Sequence, residues 1–256
     1  MANLEGKEGP DASAQDINNL KAECLFLRAL AHYDLVRMYA QPYCYSAGAA
    51  HPGVPVVLAT DPSAKPARNT VAEVYTQVIA DLTEAESIID PDYARGNVTD
   101  SKAVVTLEAI QALLSRVYLY SEQWQNAADY AAKVINSKKF TLWTVEDMTG
   151  SACFAEDVPN GGEIIFEVYG SKSNSYDPYR EGLSPLCGPN GYGDAGASTD
   201  LSTFTKRATF AELFSRSLTA FSGQRSISER VSLLLTSQTQ SFFVFQKCIS
   251  ILLRQL

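Results

Sequence analysis

The side chains best suited to chemistry in this chain are few and scattered. Its two histidines are His32 and His51. His32 falls inside an apolar-periodic stretch, where an imidazole serves a neighbouring structural group more often than it removes a substrate proton. The five cysteines, Cys24, Cys44, Cys153, Cys187 and Cys248, show no Cys-x-x-Cys spacing and no close histidine. They read as small buried or incidental thiols and give zinc ligation no support. Glu84 with Glu86, or Glu163 with Glu167, could be offered as the two carboxylates of glycoside cleavage, but acids are abundant here and solvated surface charge explains them more simply. The run Gly188-Pro-Asn-Gly-Tyr-Gly193 resembles a phosphate cradle without the strand-to-helix step and lysine that such a cradle needs. Signatures of serine hydrolases, P-loops and zinc proteases are absent, so no catalytic residue, metal or cofactor is expected.

Tyrosine is the better lead. A sugar ring presents apolar C–H faces that stack on an aromatic ring while nearby polar groups take its hydroxyls. Tyr43 and Tyr45 lie together in a proline-rich stretch, and Tyr176 and Tyr179, with Tyr192, Asn174 and Asn190, form a second cluster. For both clusters the sequence leaves two uses open, packing of a loop onto its scaffold and contact with a ligand. A tyrosine-rich surface also suits protein contact.

The elements that would position these residues are mainly helical. Polar residues at 16–19 offer N-caps for a helix from Leu20 to Tyr39, whose apolar positions Leu20, Leu27, Leu30, Ala31, Leu35 and Met38 suggest one buried stripe. Residues 41–68 hold five prolines and read as an irregular excursion over the helices. Thr70 and Glu73 form a capping box that opens a helix to about Ile89, stopped by Asp90-Pro91. A third helix, capped at Thr99 or Ser101, runs through Tyr120, with Leu107, Ile110, Leu114, Val117 and Tyr118 on one face. After a short turn comes a fourth, Asn126 to Asn136, so the last two form a helical hairpin. Phe140 to Leu142 and Glu163 to Val168 read as short extended segments, and 171–200 as ordered loop.

Of 256 residues 46% are apolar, enough for a sizeable core. The net charge of -8 lacks the basic excess of a nucleic-acid footprint. No apolar run opens the chain, so as written it carries no export signal.

The helical hairpin resembles a tetratricopeptide unit, with Ala109, Ala112, Tyr118 and Tyr120 on one arm and Trp124, Ala127, Ala128 and Ala131 on the other; Trp124 is expected to wedge between the arms. Taken alone, that pattern suits an intracellular adaptor that binds another protein. Further segments make the likeness more particular. Ala22 to Arg37, Gly53-Val-Pro55, Arg68 to Tyr75, Ile79-Ala-Asp-Leu82, Leu114 to Tyr120 and Glu163-Ile-Ile-Phe-Glu167 occur in the order seen in the SusD/RagB family, which the chain resembles over about residues 17–170.

That resemblance implies a mainly α fold, a tetratricopeptide-like helical scaffold with a loop-rich irregular region. It implies a surface-exposed outer-membrane lipoprotein that captures glycans or peptides, without catalysis, for a SusC-like TonB-dependent transporter. It also implies ligand contacts in the loop after the first helix, where Tyr43 and Tyr45 stand. The chain departs from the family pattern in lacking the lipoprotein signal and the helix that precedes Ala22.

Composition changes abruptly near Asp200. Residues 1–200 carry 14 bases and 27 acids, whereas 201–256 carry 7 bases and 2 acids, with no Asp, Asn, Tyr or Pro. Read in the neighbouring frame with permitted synonyms, the stretch from Thr236 can give Val-Leu-Arg-Leu-Ser-Glu-Val-Tyr-Leu-Asn-Leu-Ala-Glu-Ala, which resembles a later helix of the same family. The expectation is a partial helical domain over 1–200 and an out-of-frame tail over 201–256.

Overall fold

The computed structural model describes residues 12–61, 63–93, 101–142, 163–168 and 241–244. Tyr176, Tyr179, Trp143 and all of the expected tail except 241–244 lie outside the described residues. The chain divides into two compact units, Met1–Phe140 with Phe243–Leu256, and Thr141–Phe242.

The first unit is built from α1 (Ala14–Tyr39), α2 (Val71–Ile88), α3 (Leu107–Tyr120) and α4 (Trp124–Asn136). The mainly α architecture follows the sequence reading. α1 begins earlier than expected because its cap is Ser13: the hydroxyl accepts from the Asp16 N–H while the Asp16 carboxylate accepts from the Ser13 N–H. The Thr70–Glu73 capping box of α2 is present as anticipated, with Thr70 N–H donating to Glu73 Oε2 at 2.8 Å. α3 starts at Thr106, whose hydroxyl accepts from the Ala109 N–H, and not at Thr99 or Ser101; Ser101–Ala103 is a single 3-10 turn.

The face of α1 that packs inward is not the expected one. Ala22, Leu25, Phe26, Ala29, Leu30, Tyr33 and Val36 are buried, whereas Leu27, Leu35 and Met38 face outward. The helix is apolar on two sides, and its buried side also carries Asn19, Glu23 and His32. Polar partners distant in sequence decide which side goes in. Asn19 Oδ1 accepts from the Asp90 N–H, Gln15 donates to the Ile88 carbonyl, and Arg28 makes a two-pronged contact with buried Asp81 at 2.7 and 2.6 Å. Together these links register α1 antiparallel to α2.

The α3–α4 hairpin turns in three residues, with Glu122 at φ 62°. Ala109, Ala112, Ala127 and Ala131 are buried, and Ser115 Oγ donates to the Ala127 carbonyl at 2.7 Å, so the two backbones approach closely over small side chains. Ile110, Leu114 and Val117 are buried as their spacing suggests. Trp124, at the first position of α4, is half exposed and does not fill the expected wedge.

Strands β1 (Ile164–Glu167) and β2 (Ser241–Val244) form a two-stranded sheet. The three leading residues of β1 are buried, while residues 140–142 form no strand.

Candidate functional site

α1 ends where Ala40 turns extended, and Pro42 then opens a 3-10 turn over Tyr43–Tyr45. Ser46 begins a second such turn, Ala47–Ala49, in which Gly48 and Ala49 both take left-handed backbone angles, φ 63° and 50°. His51 closes this loop on itself. The Gln41 carbonyl can only accept, so His51 Nε2 donates to it at 3.1 Å; His51 Nδ1 then accepts from the Ser46 hydroxyl at 2.7 Å. Both ring nitrogens are therefore engaged in holding the loop.

The loop is sewn to the start of α2. The His51 carbonyl accepts from the Val71 N–H, and the Gly53 N–H donates to the Asn69 carbonyl at 2.6 Å. Gly53 is required by this closeness: a Cβ there would lie 3.0 Å from Val71 N and 3.1 Å from the Asn69 oxygen. Arg68 adds bonds to the carbonyls of Gly53 and Pro52.

Onto this frame the two expected tyrosines are mounted differently. Tyr45 stands edge-on to the His51 ring with centroids 5.2 Å apart, and 65% of its surface is exposed. Tyr43 is half-buried, edge-on to Tyr75 at 5.0 Å. Tyr43 thus combines loop packing with a partly open ring, and Tyr45 leaves most of its ring open to solvent.

Behind Tyr43 runs a chain of aromatic contacts that sequence reading did not single out. Tyr75 meets Tyr33 at 6.0 Å, and Tyr33 meets Tyr120 at 6.0 Å, both edge-on. The Arg37 guanidinium lies over the Tyr33 and Tyr120 rings at 5.2 and 5.0 Å, and that of Arg116 lies over Tyr33 at 5.9 Å. Burial pushes the Tyr33 phenol far above its usual range and raises Tyr75 to about 12, so both stay protonated near neutrality. Burial also raises the Asp34 carboxyl, against the opposing pull of Arg37 and Arg116. Tyr39 and Tyr120 are exposed at the ends of their helices. A signal for this cluster was available: Tyr33 with Arg37, and Arg116 with Tyr120, are spaced by four residues toward two helix C-termini.

Two of the acids weighed for cleavage, Glu84 and Glu86, are committed elsewhere. Glu84 pairs with Lys21 at 2.7 Å. Glu86 accepts from Gln111, Tyr130 and Lys133. Burial pushes its carboxyl up, but those three donors outweigh burial and hold it below the usual range. His32 has both ring nitrogens within 3.0 Å of backbone partners, in keeping with a structural imidazole. Among the described residues no group of three metal-ligating side chains is assembled, Cys24 and Cys44 are free thiols, and no helix is long and apolar enough to cross a membrane.

Residues 2–119 match the model of a SusD-like family described as starch-binding and associating with the outer membrane. Among solved structures, similarity extends to a putative sugar binding protein from Bacteroides vulgatus at 32% identity and TM-score 0.66, covering 80% of this chain and 45% of that one. It extends also to a SusD superfamily protein from Bacteroides thetaiotaomicron, at 30% identity and TM-score 0.60 over 73% of this chain and 39% of the other. A further SusD superfamily protein from Bacteroides vulgatus shares 28% identity with TM-score 0.63, over 75% and 41%. The chain therefore spans less than half the length of these relatives. No curated protein is significantly similar to it.

Proposed function

The chain belongs to the SusD/RagB-like family, and on that premise we propose that it captures carbohydrate at the bacterial outer membrane, without turning it over, and delivers it to a SusC-like TonB-dependent transporter. The observation that carries this reading is Tyr45, an aromatic ring largely open to solvent yet braced by His51 and the closed loop beneath it. A rigid, exposed ring offers a stacking face at little ordering cost. Tyr43 adds a second, partly open face, and Arg37 with the exposed Tyr120 can supply donors nearby. Tyr176 and Tyr179 are proposed as further ligand contacts from the second tyrosine cluster. Peptides are the alternative cargo of the same surface. An intracellular adaptor built on the α3–α4 hairpin is the reading to which failure of glycan capture would point. The same proposal treats 201–256 as out-of-frame translation, which nucleotide sequencing across the codon for Asp200 tests.

Isothermal titration with starch oligosaccharides, β-glucan oligosaccharides and a peptide mixture tests capture directly. Tyr45→Ala is expected to weaken glycan binding about tenfold, equivalent to about 1.4 kcal/mol. Tyr43→Ala is expected to cost binding and also to lower the melting temperature, because that ring packs on Tyr75. Undiminished glycan affinity in Tyr45→Ala would remove the loop from the site, and absence of glycan binding by the unmutated chain would remove the carbohydrate reading.

A further inference from the structure

We propose that His32 is a proton-operated latch: its neutral ring ties the segment 54–61 to α1, and protonation frees the part of this strap from Val57 onward. The tautomer is dictated by partners of fixed polarity. His32 Nδ1 lies 3.0 Å from the Arg28 carbonyl oxygen, which can only accept, so Nδ1 carries the hydrogen. His32 Nε2 lies 3.0 Å from the Val57 amide nitrogen, which can only donate, so Nε2 presents its lone pair. Neutral imidazole satisfies both partners at once. Imidazolium cannot, because its second N–H would confront the N–H of Val57.

The strap depends on this bond at a particular point. Upstream it is tied repeatedly: Asn69 N–H donates to the Val54 carbonyl, Asn69 Oδ1 accepts from the Val56 N–H, and Arg68 holds Gly53. Past Val57, the hydrogen bonds among the described residues are local, with Asp61 accepting from Ser63 and Ala64. Apolar burial adds little there, since Val57 and Leu58 are 49% and 56% exposed. Val57 N–H is thus the last hydrogen bond from the strap to α1 among the described residues. Between α1 and the strap lies an open surface cleft of about 490 Å³, lined by Cys24 and Arg28 on one side and Val57–Asp61 on the other.

Among the described residues, the charged groups around the ring are already engaged with other partners. Arg28 on α1 and Asp81 on α2 neutralise each other, and Gln77 also donates to Asp81. Asp61 on the strap is occupied by Ser63, and Arg116 on α3 lies above the adjacent Tyr33. The latch is local, since the α1–α2 links through Arg28, Gln15 and Asn19 do not pass through His32.

Solution NMR of the full chain from pH 7.5 to 5.0 tests the proposal. At pH 7.5 the His32 ring should show the Nδ1–H tautomer. On acidification, Val57 amide protection, corrected for intrinsic exchange, should fall at least tenfold while that of Ile110 in α3 holds. His32→Gln, which keeps an acceptor without titrating, should leave Val57 protection independent of pH. Val57→Pro removes the donor and should abolish the pH response of exchange at Leu58–Thr60 with helical circular dichroism unchanged, which keeps the test decisive should His32→Gln fail to fold. An Nε2–H tautomer at pH 7.5, constant Val57 protection in the unmutated chain, or a pH response that persists in Val57→Pro would each overturn the latch.

Discussion

The two helix pairs of the first unit are held together by different means. α1 and α2 are separated by a long connection, and their register is fixed by polar links of high specificity: Arg28 with Asp81, Asn19 with the Asp90 amide, Gln15 with the Ile88 carbonyl. α3 and α4 are joined by three residues and pack through alanines and one buried serine. The difference follows from loop closure. A tight turn leaves the hairpin few alternative registers, so smooth small-residue packing suffices. Helices that meet across a long excursion need individual contacts to select one face and one offset, and the excursion is then free to carry the half-buried Tyr43 and the exposed Tyr45.

If that contrast holds, the largest loss of stability should come from the α1–α2 pair. Asp81→Ala removes a carboxylate with 2% exposure and strands the Arg28 guanidinium, at an expected cost of about 3 kcal/mol in urea unfolding. A smaller effect is expected in the hairpin, where the sensitive property is closeness and not charge. Ala131→Leu forces a larger side chain into a fully buried position and should cost about 2 kcal/mol. A hairpin variant more damaging than Asp81→Ala would break the comparison.

The smallest effect joins the two pairs. Glu86 of α2 receives Lys133 and Tyr130 of α4 and Gln111 of α3, and its carboxyl is held below the usual value of 4.5. A depressed folded-state pKa means that the unfolded chain binds the proton more readily. The stabilisation is therefore present above about pH 4.5 and is lost as pH falls through the lower folded value. Melting temperatures from pH 7 to 3.5 should fall less steeply in Glu86→Gln than in the unmutated chain; identical slopes would show that Glu86 contributes nothing to that dependence.

Some local signals in the sequence were reliable, and distant ones were silent. The Thr70–Glu73 box and the Ile110, Leu114 and Val117 face depend on neighbours within a turn or two, and both are found in place. α1 was legible as a helix but not in its orientation. Leu27, Leu35 and Met38 look like core residues by spacing, yet Asn19 and His32 lie on the buried side because their partners come from Asp90 and Val57. The cap of α3 at Thr106 was missed because Thr99 and Ser101 offer the same chemistry a turn or two earlier. Tyr43 and Tyr45 could be read as loop aromatics in a suitable place. What distinguishes them, a buried Tyr75 behind one and a bracketing His51 behind the other, comes from contacts that spacing does not encode.

The bracket of Gln41, Ser46 and His51 has a consequence for how such a surface can diversify. Because its bonds close within eleven consecutive residues, the geometry of the turn owes little to whatever side chain stands at its tip. Position 45 can therefore be exchanged for a differently shaped ring, or for a hydrogen-bonding group, with the helices underneath left undisturbed. Selection for a new ligand would meet little resistance from selection for folding at that one place.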